Sequence, residues 1–196
     1  MREVAKLVVI EFVTLDGVMQ GLGSPDEDRD GGFEHGGWAA PYADHVLRES
    51  ALQGLGSTTA YLFGRRTYEK MLGFWPHQPD SDPMAAHLNR TVKYVATRTF
   101  HWLDWPNARI LDGDLEPAVR GLKAHGDGNI AVLGSGALVN ELRARHLVDE
   151  YRVFVHPLLL GTGKRLFRET PVPQSLSLHS CTRTTTGVLL LTYTPN

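Results

Sequence analysis

The sequence predicts an α/β fold with a mixed, mainly parallel central sheet flanked by helices and antiparallel strands at its C-terminal end. Two observations carry this. From Lys6 to His156, β-branched apolar runs alternate with segments of helical spacing, an order that builds a parallel sheet covered on both faces. From Ser175 to Thr194, two further runs are joined by a short turn at Gly187, which suits an antiparallel pair at one edge.

Lys6 to Val13 reads as an interior first strand because it is apolar on both faces and ends at the turn-like Asp16-Gly17. Gln20 to Gly37 is polar and glycine-rich, which in a compact domain means disorder or an active-site loop. Its place directly after the first strand favours the loop. Pro41 is suited to open a helix that runs to about Leu55 with Ala43, Val46, Leu47 and Ser50 on one face. Thr58 to Phe63 is the second strand, and a short helix follows Gly64. Asp82-Pro83 has the form of an N-cap with proline at the first helical position. Val92 to Thr97 and Arg109 to Leu111 read as strands, and Asp114 opens a helix to about His125. Ile130 to Leu133 is a strand running into Gly134-Ser135-Gly136, and Leu138, Val139 and Leu142 mark the apolar face of the helix beyond it. Asp149 to His156 is the last strand before the terminal pair. No repeat, linker or low-complexity tract divides the chain, so residues 1–196 read as a single domain.

With 42% hydrophobic and 21% charged residues the composition is globular. A net charge of -2 gives no footprint for nucleic acid or an anionic membrane, which leaves small molecules as the leading partner class. Glu11 interrupts the apolar run Leu7-Val8-Val9-Ile10, so that run fails as a signal peptide, and no stretch approaches the roughly 20 apolar residues of a membrane span. The single cysteine, Cys181, excludes an internal disulfide, fits a cytoplasmic protein and is expected in the core.

Several motifs fail on spacing. Gly161-Thr162-Gly163-Lys164 resembles the end of a P-loop, but Leu158 and Arg165 stand where that motif needs Gly and Ser/Thr. Leu133 and Ala137 stand where a nucleophile elbow around Ser135 needs glycines. The first strand is not followed by G-x-G-x-x-G, and the nine histidines show no ligand spacing, so no metal site is expected.

Two strand-to-helix junctions remain. Gly64-Arg65-Arg66-Thr67 puts glycine, two arginines and a hydroxyl at a helix N-terminus, where free N–H groups and the helix dipole favour an anion. Gly134-Ser135-Gly136-Ala137-Leu138 offers a second such end, with glycines that admit a phosphate close to the backbone. Thr97-Arg98-Thr99 adds a third cationic strand end. Either junction alone is also an ordinary glycine-containing loop; together they suit the two ends of a dinucleotide.

These segments, with Thr14-Leu15-Asp16-Gly17-Val18, Tyr94-Val95-Ala96-Thr97-Arg98, and the run from Leu147-Val148-Asp149-Glu150-Tyr151 to His156-Pro157-Leu158-Leu159-Leu160-Gly161-Thr162-Gly163, span nearly the whole chain. In them the sequence resembles the dihydrofolate reductase-like superfamily, and most closely its branch with the C-terminal reductase domain of riboflavin biosynthesis. That resemblance implies the dihydrofolate reductase-like fold and an NADPH-dependent oxidoreductase that reduces a small pterin- or pyrimidine-like heterocycle, or a carbonyl or imine, by hydride transfer. It implies that Gly64, Arg65, Arg66 and Thr67 and Gly134 to Leu138 hold the diphosphate, with Thr97 and Arg98 near the 2′-phosphate. Val13, Asp16, Gly17 and Met19 would border the nicotinamide. It also implies a cis bond between Gly134 and Ser135 and a homodimer, the latter suited to the apolar run Val188 to Leu191 as an edge in need of cover.

On the substrate side, Trp38, Tyr42, Trp75 and Pro76 flank the expected pocket, and Asp44 is the candidate catalytic carboxylate. The aromatics also suit core packing, and an acid at a helix start is favoured by the dipole alone. Pro41-Tyr42-Ala43-Asp44 is one residue longer than the corresponding dihydrofolate reductase pattern, which argues against folate as the substrate. Two further readings stay open: a nucleotide- or pterin-binding protein without turnover, and an interaction module.

Overall fold

The structure, a computed structural model, describes residues 4–170 and 172–196. The elements run β1 (Lys6–Thr14), α1 (His45–Ser57), β2 (Thr58–Gly64), α2 (Arg65–Phe74), α3 (Pro83–Arg90), β3 (Val92–Ala96), β4 (Ala108–Ile110), α4 (Leu115–His125), β5 (Asn129–Leu133), α5 (Gly136–Ala144), β6 (Glu150–His156), β7 (Leu176–Arg183) and β8 (Leu189–Pro195). One eight-stranded sheet has the order β4-β3-β2-β5-β1-β6-β8-β7. The first six strands are mutually parallel, and β8 pairs antiparallel with both β6 and β7.

Strand alternation sorts side chains to two cores. On β2, Ala60 and Leu62 join Leu7, Val9 and Val132 beneath Val119 of α4 and Leu138, Val139 and Leu142 of α5. Tyr61 and Phe63 point the other way, to Val95, Trp105, Tyr68 of α2 and Leu88 of α3. A third, smaller cluster of Val18, Phe33 and Trp38 gives the glycine-rich loop its own packed centre. β3, β2 and β5 are adjacent and parallel, so the turns that follow them open on one side of the sheet.

Asp82 caps α3 as its sequence predicts, accepting from Met84 N (2.8 Å) and Ala85 N (3.0 Å), with Pro83 at the first helical position. The start of α1 differs. Ala40–Tyr42 is a separate 3-10 turn, Ala43 and Asp44 are extended, and the helix proper begins at His45 with Asp44 as its N-cap. No residue of α1 is fully buried, so the face carrying Val46, Leu47 and Ser50 covers the sheet only in part.

Three further expectations are corrected. Cys181 lies on the edge strand β7 and is exposed, because its neighbours across the ladder cover only one side of it. The run from Val188 to Leu191 leads into β8, which is hydrogen-bonded on both sides; the open edge belongs to β7. There is no cis peptide bond among the described residues, so the Gly134–Ser135 bond is trans; Gly134 makes the turn with φ 61°, a left-handed conformation that glycine adopts without a Cβ clash.

Candidate active site

A long open cleft of about 3090 Å3 runs along the C-terminal ends of the central strands. It is larger than the roughly 300–1,000 Å3 of a small-ligand pocket, as suits an extended molecule. Gly64, Arg65, Arg66, Thr67, Thr97, Arg98 and the whole of Gly134 to Leu138 line it. The three junctions singled out in the sequence are thus brought together.

Two crossing hydrogen bonds lock the junctions. Gly64 N donates to Ser135 Oγ (3.1 Å), and Thr67 Oγ1 donates to the Gly134 carbonyl (2.9 Å). A Cβ at Gly136 would lie 2.5 Å from Met19 Sδ, so a side chain there would have to displace the end of the Met19 side chain. Neither α2 nor α5 has a side-chain cap or an acidic residue in its first turn, whereas Asp44 and Asp82 cap α1 and α3. The free N–H groups of both helices, together with the neighbouring arginines, therefore fit the phosphates of a dinucleotide. Arg65 pairs with Glu69 (3.6 Å) and Arg66 with Asp30 (3.1 Å), while Arg98 is exposed and has no ion-pair partner among the described residues.

Beneath the second junction lies a carboxylate that the motif reading passed over. Glu11 is only 2% exposed, lines the cleft and accepts from Ser135 N (3.1 Å). Burial pushes its pKa up to about 8, against the opposing pull of the Ser135 and Gly134 N–H groups. A lone acid inside an apolar strand was the available signal.

The glycine-rich loop is strapped across the cleft by charge. Lys164 Nζ reaches Asp28 (2.9 Å) and Asp30 (2.7 Å), Lys70 reaches Asp28 (2.8 Å), and Gln20 Oε1 accepts from Lys164 N (2.9 Å). Burial works against the Asp28 carboxylate, yet hydrogen bonds from Lys70 and Lys164 hold its pKa at about 2.

The remaining expected residues are dispersed. Met19 lines the cleft, but Val13, Asp16 and Gly17 do not; Ile10, Glu11 and Phe12 line it from β1 instead. Val13 is in the core, and Asp16 accepts from Leu160 N (3.3 Å) and Gly161 N (2.8 Å), which fixes the loop after β6. Trp75 lines the cleft with its Nε1 on Met71 Sδ (2.9 Å), and Pro76 stands behind it. Trp38 is buried, with Nε1 donating to the Gln20 carbonyl (2.7 Å). Tyr42 packs edge-on to His156. Asp44 is separate from the cleft: Oδ1 accepts from Val46 N (2.5 Å), and Oδ2 accepts from the backbone N (2.8 Å) and hydroxyl of Thr185 in the β7–β8 turn.

A second cavity of about 250 Å3 opens beside the cleft; Phe12, Leu22 and Gly23 line both. Ala39, Ala40, Ala43, Leu47 and His156 complete its wall. His156, from the end of β6 opposite Thr14, opens the run to Gly163, but no motif assigns it a role.

Residues 5–190 match the family model described as the RibD C-terminal domain. The chain belongs to the RibD C-terminal domain family. Among solved structures, a candidate riboflavin biosynthesis protein from Shewanella sp. PV-4 superposes with TM-score 0.71 at 18% identity, covering 97% of this chain and 99% of that one. A pyrimidine reductase-like protein from Corynebacterium diphtheriae gives 0.64 at 13% identity, covering 98% and 92%. Dihydrofolate reductase from Enterococcus faecalis, complexed with NADP(H), gives 0.57 at 14% identity, covering 97% and 96%. The fold of this RibD C-terminal domain protein is therefore dihydrofolate reductase-like, and the clamped junctions lie at the strand ends where open α/β sheets take their ligands.

Proposed function

We propose that this protein is an NADPH-dependent reductase acting on a small pterin- or pyrimidine-like heterocycle, or on a related carbonyl or imine. The observation that carries this reading is the pair of uncapped, acid-free helix N-termini of α2 and α5, pinned side by side and flanked by arginines. The NADP(H) complex of the Enterococcus faecalis relative and the pyrimidine reductase-like relative support the choice of cofactor and substrate class.

NADPH, when bound, supplies the hydride. The chain's part is to bind the diphosphate on the two helix ends, to present Arg66 and Arg98 to the 2′-phosphate, and to hold a flat ring where cleft and side cavity meet. A binding protein without turnover is the second reading. It is favoured by the side cavity, whose lining residues carry no carboxylate to relay a proton. Steady NADPH oxidation with a panel of pterins, aminopyrimidines and small carbonyls tests the choice. Turnover of a panel member is expected; tight NADPH binding with no oxidation across the panel selects the binding protein.

We also propose a cytoplasmic homodimer. Every residue of β8 is only half-buried and Leu178 on β7 is exposed, which leaves apolar surface at this end of the sheet for a second copy. Light scattering at micromolar concentration is expected to return twice the chain mass, and a monomer mass refutes the dimer. Among the described residues no helix is long and apolar enough to cross a membrane.

A further inference from the structure

His156 is 1% exposed and its ring lines the side cavity. Nδ1 lies 3.1 Å from the carbonyl of Val13 and 3.1 Å from that of Phe154. A carbonyl oxygen can only accept, so the proton of the neutral ring sits on Nδ1 and Nε2 carries a bare lone pair. The hydrogen bonds of the ring among the described residues all run through Nδ1, and Nε2 is not one of the fully buried unpaired atoms, which leaves it accessible to a ligand. Burial lowers the pKa of the ring, against the two carbonyl contacts, and so favours this neutral state. The ring is also fixed in place: Trp38 stands edge-on at 5.0 Å and Tyr42 at 5.4 Å.

The cavity is otherwise apolar, formed by Phe12, Leu22, Ala39, Ala43 and Leu47. The hollow, of about 250 Å3, is shallow and largely open, and its shared wall with the cleft brings a ring resting in it to the edge of the cofactor groove. An acceptor in an apolar wall selects for a donor, because a ligand that covers it without one leaves it desolvated and unpaired. We propose that His156 is a specificity-determining residue whose Nε2 accepts a hydrogen bond from a ring N–H of a flat single-ring heterocycle, such as a cyclic ureide, seated in this cavity. The inference rests on the reductase reading only in taking the cavity as the place of the substrate ring.

The test uses 15N-labelled full-length protein, with uracil as the probe and 1,3-dimethyluracil as the control without N–H groups. In the free protein the His156 nitrogens are expected to report the Nδ1–H tautomer. Uracil is expected to shift the Nε2 resonance and to bind on the order of tenfold more tightly than the dimethyl compound. In His156→Phe, checked for folding by its NMR spectrum, that preference is expected to disappear. The proposal is overturned if the proton sits on Nε2, if uracil leaves Nε2 unmoved, or if folded His156→Phe keeps the preference. The first two readouts need only the wild-type protein, so a variant that fails to fold does not rescue the idea. NADPH is titrated separately: a protein that binds uracil on His156 but not NADPH sinks the reductase reading and leaves this inference standing.

Discussion

The hydroxyl of Ser135 accepts the backbone N–H of Gly64 at 3.1 Å and donates to the carbonyl of Leu133 at 3.1 Å, so one buried side chain ties the start of α2 to the start of α5. Ser135→Ala removes that tie and leaves the Gly64 N–H without its partner. The expected loss of stability is about 1–3 kcal/mol, read from urea unfolding. If the two helix ends act as one cofactor grip, NADPH affinity falls several-fold in the same variant. A destabilised variant with unchanged NADPH affinity contradicts the shared grip.

Glu11 gives the protein a pH signature. Its pKa is about 8 when folded against an ordinary 4.5, so between those values the folded state holds a proton that the unfolded state has released. Stability from this group is complete below pH 4.5 and is lost as pH rises towards 8, with a slope of up to about 1.4 kcal/mol per pH unit. His156 and His87, whose pKa values burial lowers, tilt the curve the other way near and below their ordinary value of 6.5, but they are common to wild type and Glu11→Gln. Denaturation of both proteins from pH 5 to pH 9 is expected to show the wild type losing stability relative to Glu11→Gln as pH rises. Parallel profiles contradict the buried, proton-holding Glu11.

Asp30 occupies Arg66 and Lys164, two cations of the cleft. On the reductase reading the 2′-phosphate competes for Arg66 with this carboxylate. Asp30→Asn is therefore expected to tighten NADPH by a few-fold at low salt, with the difference shrinking as salt is added. An unchanged or weaker affinity at low salt shows that the strap does not compete.

Asp44 has both carboxylate oxygens engaged, one on Val46 of α1 and one on Thr185 of the β7–β8 turn. Its pKa is lowered by the hydrogen bond from the Thr185 side chain first, with burial opposing and the backbone N–H groups of Val46 and Thr185 assisting. Asp44→Asn is expected to lower the melting temperature and to leave kcat with a verified substrate unchanged. A large fall in kcat without a change in melting temperature restores it as the catalytic carboxylate.

The parallel sheet and its helices are legible in the sequence because each signal is local. Asp82-Pro83 announces a cap, Val92 to Thr97 a strand that the structure ends one residue earlier, and Gly134-Ser135-Gly136 the turn from a strand into a helix. The order of the last three strands is not legible. The sequence places an apolar run before the C-terminus but does not say that β6 pairs with β8 rather than β7, so an interior strand reads as an edge. Glu11 and His156 escape for a related reason. Their surroundings are built by long-range contacts: Glu11 meets a backbone amide at Ser135, and His156 meets the carbonyl of Val13 across the β1–β6 ladder. The predicted Asp44 fails to reach the cleft because two extended residues separate the 3-10 turn from α1 and make it a cap.

The most direct test of the central claim is a titration of the protein with NADPH and with NADH at moderate salt, repeated with Arg98→Ala and Arg66→Ala. Charge-assisted hydrogen bonds to the 2′-phosphate, the group that distinguishes the two cofactors, predict at least a roughly tenfold preference for NADPH. Both variants are expected to weaken NADPH far more than NADH. Equal affinities in the wild type, or variants that lose both cofactors alike, contradict a 2′-phosphate site at this end of the cleft.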